Sequence, residues 1–121
     1  EFPKTTVIID HLGRPFQGTP KEHAVVVRWS RFDNTIMKIA SLPSQDRYPH
    51  RKIAPVIKQL TDAYGAERMI YGGGFNAQAT PQSYRMYRDR VAGLLTHLSA
   101  GDRSKILGGT AARIYGFNTT T

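Results

Sequence analysis

Three short runs of β-branched and apolar residues alternate along the chain with longer stretches whose apolar residues recur every three to four positions. Thr5-Thr6-Val7-Ile8-Ile9-Asp10 has no polar alternation and is closed by Gly13 and Pro15. It predicts a fully buried strand of a parallel sheet. Thr19-Pro20-Lys21-Glu22 has the form of a capping box with proline at the first helical position. It predicts a helix over 20–32, with Val25, Trp29 and Phe32 on one face and Arg28 and Arg31 elsewhere. Thr35-Ile36-Met37-Lys38-Ile39-Ala40 reads as a second strand, ended by Ser41 and Pro43, with Lys38 its one charged member.

A polar loop then leads to a helix over about 50–64, in which Ile53, Val56, Ile57, Leu60 and Tyr64 form a stripe and Gly65 is the stop. Arg68-Met69-Ile70-Tyr71 is a third strand that runs into Gly72-Gly73-Gly74. Thr80-Pro81 opens a capped helix with Tyr84, Tyr87, Val91, Leu94, Leu95 and Leu98 along one face. Residues 102–107 and 110–115 are expected to be two short helices separated by Gly108-Gly109, with a frayed tail after Gly116.

This order predicts the α/β class: right-handed βαβ units with three parallel strands and four to five helices. A closed barrel needs eight strands and ~250 residues. The chain is therefore expected to be a small open sheet or one part of something larger. Its opening Glu1-Phe2-Pro3, which runs at once into the first strand, favours the second. We treat residues 1–121 as a single segment.

Composition narrows the chemistry. Of the 121 residues 40% are apolar and 21% charged, enough for one modest core. No apolar run approaches the ~20 residues of a membrane helix, and a cytoplasmic setting is expected. Without cysteine there is no disulfide, thiolate metal site or cysteine nucleophile. Seventeen Lys and Arg against nine Asp and Glu give a net charge of +8, which favours anionic partners.

In parallel α/β architectures reactive groups collect where strands end. His11 follows the first strand, where it suits a metal ligand or a proton-transfer group oriented by Asp10, or simply a cap of the strand end. Lys38 can hold an acidic substrate inside a cleft, or extend its ammonium to water. Ser41 can hydrogen-bond substrate or serve the loop; no histidine lies at a local spacing that would make it a nucleophile. Gly72-Gly73-Gly74-Phe75-Asn76 allows amides to approach an anion closely, with Gly73, Gly74 and Asn76 the candidates, or is a turn requiring positive φ. It matches neither common phosphate-binding glycine fingerprint. Arg85, Arg88 and Arg90 interleave with Tyr84 and Tyr87, an arrangement that on an exposed surface would bind nucleic acid. The helical stripe instead assigns both tyrosines to the core, so a basic module binding an anion or nucleic acid is the second reading.

Four stretches in order carry a resemblance: Val7 to Gly13, Asn34 to Ser41, Tyr64 to Gly72, and Lys105 to Gly116. Together they resemble the C-terminal portion of the amidohydrolase-related family, which includes lactonases and decarboxylases of carboxylate substrates. The resemblance implies the last three strands and helices of a (β/α)8 TIM barrel acting on a small anionic substrate. It implies that His11 ligates a divalent metal, commonly zinc, or acts directly on substrate, with Lys38 and Ser41 at the next strand's mouth. The family usually carries Gly-Ser-Asp-Trp-Pro after its last strand, the Asp ligating metal or activating water. Here Gly74 stands in its place, and Thr110 stands where the family generally has Asn. The paired histidines of the family's first strand are absent from this chain. The resemblance thus implies weakened metal dependence, an inactive isolated chain, and a need for the remainder of the barrel or another copy as partner.

Overall fold

The computed structural model describes residues 3–42 and 52–117. Its elements are β1 (Val7–Ile9), α1 (Pro20–Arg28), β2 (Thr35–Ile39), α2 (Ile53–Tyr64), β3 (Met69–Tyr71), α3 (Pro81–Leu94), α4 (Ala100–Ser104) and α5 (Thr110–Tyr115). The strands form one parallel sheet in the order β1-β2-β3, with Ile8 opposite Ile36 and Lys38 opposite Ile70. This is the α/β architecture of consecutive βαβ units.

Strand alternation divides the sheet into two faces. Met37 and Ile39 join Ile9 and Met69 on the face covered by helices, where they pack with Ile57, Leu60, Val91, Leu95 and Ile106. All five residues of the expected α2 stripe are buried. The opposite parity places Lys38 with Ile36 and Ile70 on the other face, which the helical core does not cover. The first residues of the expected 50–64 helix lie outside the described residues, as do Pro43 and the tail after Phe117.

Both helix starts follow their sequence signals. The Thr19 hydroxyl accepts from the Glu22 amide at 3.2 Å, and Glu22 Oε2 accepts from the Thr19 amide at 2.7 Å. This bonding holds the exposed Glu22 carboxyl below its ordinary range. Thr80 and Ser83 exchange the corresponding pair at the start of α3.

Four expectations are corrected. β1 is not fully buried, because among the described residues it has a neighbouring strand on one side only. α1 ends at Arg28 and tightens into a 3-10 turn over Trp29–Arg31. It turns His23, Val26 and Val27 inward, while Val7, Val25, Trp29 and Phe32 are 41–45% exposed. Tyr64 Oη donates to the Val26 carbonyl at 2.6 Å, which ties α1 to α2 on that inward face. Tyr84 is 48% exposed rather than core and stacks on Phe75, with ring centroids 4.9 Å apart. Gly108 and Gly109 do not separate two helices. They sit in a π-helical turn, Lys105–Gly109, that carries α4 directly into α5.

Candidate functional site

The three strands are parallel, so their C-terminal ends share one edge of the sheet. β1 ends in a turn, Asp10–Gly13, in which His11 has φ 52° and Leu12 has φ 58°. Arg14 follows at φ 55°, and beyond β2 Ser41 sits at φ 52°. Each is a non-glycine residue in left-handed backbone, which costs roughly 1–2 kcal/mol apiece. Such conformations persist where surrounding structure holds them, and they concentrate at functional sites. Here Leu12 is buried beneath the turn, and Arg14 N–H donates to the His11 carbonyl at 2.8 Å. Gly13 has φ 68°, and any Cβ there would overlap Val26 of α1.

This backbone shapes a cleft of about 230 Å³ lined by His11, Leu12, Arg14, Pro15, Phe16, Gln17, Ala40 and Ser41. His11 and Ser41, 30 positions apart in sequence, therefore meet at one opening. His11 Nδ1 is buried and has no hydrogen-bond partner among the described residues. An imidazole nitrogen in that state is desolvated without compensation from the protein and is open to water, an ion or substrate in the cleft.

Asp10 does not orient this ring. Its Oδ1 lies 3.2 Å from Lys38 Nζ, in a pair that crosses from the end of β1 to the inner face of β2. Lys38 passes Gly72, where a Cβ would overlap Lys38 Cε, so that glycine makes room for the lysine. Gly74 adopts φ 68°, and a Cβ there would stand 2.9 Å from Ser41 Oγ. The turn after β3 is thus held against the turn after β2. A Cβ on Gly73 would overlap the Phe75 ring. Asn76 is exposed, and its Oδ1 accepts the Gln78 amide at 2.9 Å, closing a local turn outside the cleft lining.

Behind this turn lies an aromatic cluster. Tyr71 and Tyr87 have ring centroids 6.0 Å apart, and Phe75 meets Tyr87 edge-on at 5.6 Å. The Tyr87 hydroxyl accepts the Leu42 amide at 3.1 Å, fixing the chain just beyond Ser41. The Tyr71 hydroxyl is buried with no hydrogen-bond partner among the described residues. Burial, with smaller contributions from Tyr84 and Tyr87, raises it above the ordinary phenol range. Because Tyr87 is packed, the two tyrosines do not form an exposed base-stacking platform.

Sequence reasoning missed Arg14, Phe16 and Gln17 as cleft residues and His23 as a buried polar group. A signal for the first three was present: they follow His11 in a segment punctuated by Gly13, Pro15 and Gly18. For His23 the capping box sets the helix start, and counting from it places His23 and Val26 on one face.

Among the described residues no three His, Asp or Glu side chains converge on a point, and Asp10 is engaged with Lys38. His11 offers one candidate ligand, whereas a catalytic zinc takes about three from the protein. The described residues alone do not fit the metal.

The comparisons with known proteins agree on one family. A family model described as Amidohydrolase matches residues 1–117. A curated relative, an L-fucono-1,5-lactonase from Burkholderia multivorans, is 26% identical over 90% of this chain and 42% of its own length. A solved amidohydrolase from Burkholderia multivorans with bound zinc superposes with a TM-score of 0.69 at 22% identity, over 94% of this chain and 45% of that one. A Pseudomonas putida structure described as a 2-pyrone-4,6-dicarboxylic acid hydrolase superposes with a TM-score of 0.69 at 21% identity, over 93% and 44%. The chain spans less than half the length of these relatives. It belongs to the amidohydrolase family, and its three strands have the fold of part of that family's barrel.

Proposed function

We propose that residues 1–121 form the C-terminal segment of an amidohydrolase barrel that hydrolyses a small lactone or related carboxylate. The observation that carries this reading is the cleft at the C-terminal strand edge. There a histidine with a buried, unpartnered nitrogen and a strained serine face the same space. Water adding to the ring ester of a lactone releases a hydroxy acid, so both the polarised carbonyl and the product are anionic in character. Arg14 in the cleft supplies positive charge for them, and Lys38, paired with Asp10, adds to it where a substrate carboxylate takes over that pairing. His11 acts directly at the reacting carbonyl or as one ligand of a zinc completed by other strands, and Ser41 hydrogen-bonds substrate. The backbone amides of Gly73 and Gly74 border the substrate from the turn after β3, while Asn76, whose Oδ1 accepts the Gln78 amide, shapes that turn from outside the cleft lining. With Gly74 in place of a carboxylate, one negative charge that would hold a cation is missing, so zinc binding is weak.

Two measurements test this. Lactone turnover is assayed with the 121-residue chain and with a longer polypeptide carrying the preceding strands, each with and without His11→Ala. The expectation is activity in the longer polypeptide alone, lost by at least about a hundredfold in the variant. Turnover by the short chain, or an indifferent His11→Ala, overturns the reading. Calorimetric titration of the longer polypeptide with zinc is expected to show no tight stoichiometric binding, and finding it contradicts the weak-metal part.

A further inference from the structure

His23 is the one residue that α1 buries, at 4% exposure. Its Nε2 lies 2.8 Å from the carbonyl oxygen of Leu12. A carbonyl only accepts, so Nε2 carries the hydrogen and donates it. That carbonyl belongs to the second of four consecutive positive-φ residues, His11 to Arg14. Three positions along α1, on the same face, Val26 lies against Gly13 so closely that no Cβ fits there. One helix face therefore grips two successive residues of the turn, one by a hydrogen bond and one by close packing.

We infer that His23 is a positioning residue: by holding the Leu12 carbonyl it keeps the turn in the left-handed form that presents His11 to the cleft. This rests on the reading of His11 as the working side chain, but its test does not use activity. The Arg14 amide donates to the His11 carbonyl and so reports whether the turn is closed. His23→Leu keeps an apolar side chain in place and loses the donor. His23→Gln keeps an N–H at a comparable reach.

In the full chain, hydrogen exchange of the Arg14 amide is expected to quicken at least about tenfold in His23→Leu, with the His11 ring proton signals displaced at fixed pH. Both return toward wild type in His23→Gln, and the amides of β2 move only with global stability. Unchanged Arg14 exchange in His23→Leu overturns the inference. So does a His23→Gln variant that behaves like His23→Leu, because the imidazole would then serve packing alone. Should His23→Leu fail to fold, His23→Asn replaces it: its amide is too short to reach Leu12, so protection in Asn equal to that in Gln overturns the inference. If turnover proves indifferent to His11 while Arg14 exchange responds as expected, the functional reading fails and the clamp stands.

Discussion

The two edges of the sheet differ in backbone strain. At the N-terminal edge the Thr35 hydroxyl sits 2.7 Å from the Phe32 carbonyl, and Arg68 donates to the carbonyls of Ser30 and Phe32 at 2.8 and 2.9 Å. Thr110 donates to the Ala66 carbonyl at 2.6 Å, and Arg113 to that of Glu67. Loop carbonyls there are answered by side chains reaching in from other elements. At the C-terminal edge lie all four of the positive-φ non-glycine residues identified, His11, Leu12, Arg14 and Ser41. Two buried polar atoms without partners, His11 Nδ1 and Tyr71 Oη, lie there as well. Side chains answer carbonyls at both edges, as His23 does for Leu12, so what sets the C-terminal edge apart is its left-handed backbone, at the edge where reactive groups collect in parallel α/β folds.

The sharpest way to break this contrast is to add one methyl group at the strained edge. Gly13→Ala must place a Cβ into Val26 while holding φ 68°. The expected loss is about 2–4 kcal/mol, combining left-handed strain with overpacking. Urea unfolding checks it through a lower midpoint at unchanged slope; a loss under about 1 kcal/mol would show that α1 gives way freely there. Next in size is Thr110→Val at the opposite edge. It keeps the shape of a side chain that is 1% exposed but removes the donor to Ala66. The expected cost is about 1–2 kcal/mol in the same unfolding experiment, with no change in lactone turnover by the longer polypeptide. An effect on turnover without one on stability would move function to the wrong edge.

Local signals and burial signals fared differently in the sequence. Capping boxes are local, and both helix starts fall where Thr19 and Thr80 place them. The α2 stripe is legible because five apolar residues at helical spacing leave one face to bury. Burial of α1 was not legible, since Val25, Trp29 and Phe32 are as apolar as Val26 and Val27, and only tertiary docking decides which set turns inward. Gly108-Gly109 misled for a related reason: glycine permits a break, but the helix is retained through a π turn anchored by buried Ile106 and Thr110. At the site, the strand ends bring His11 and Ser41 to one cleft with Lys38 outside its lining, whereas Arg14 joins it through the left-handed turn and His23 through the helix face set by the capping box. Thr110, singled out by the resemblance, has its hydroxyl satisfied by Ala66 at the far edge.

The smallest effect carries the opposite sign and therefore sharpens the contrast most finely. Ser41 holds φ 52° at the mouth of the cleft. Replacing it by glycine removes a left-handed penalty of roughly 1–2 kcal/mol and adds an unfolded-state entropy cost of roughly 0.5–1 kcal/mol. The net expectation is a protein about 0.5–1 kcal/mol more stable than wild type, visible as a higher urea midpoint. In the longer polypeptide the same change removes a hydroxyl from the cleft lining, so KM for a lactone is expected to rise several-fold, about what one neutral hydrogen bond supplies. Stability and substrate binding would then move in opposite directions at one residue, which is the behaviour of a strained functional position. A destabilised Ser41→Gly would mean that its left-handed backbone is held by contacts the hydroxyl itself makes, and that the strain at this edge is confined to the turn around His11.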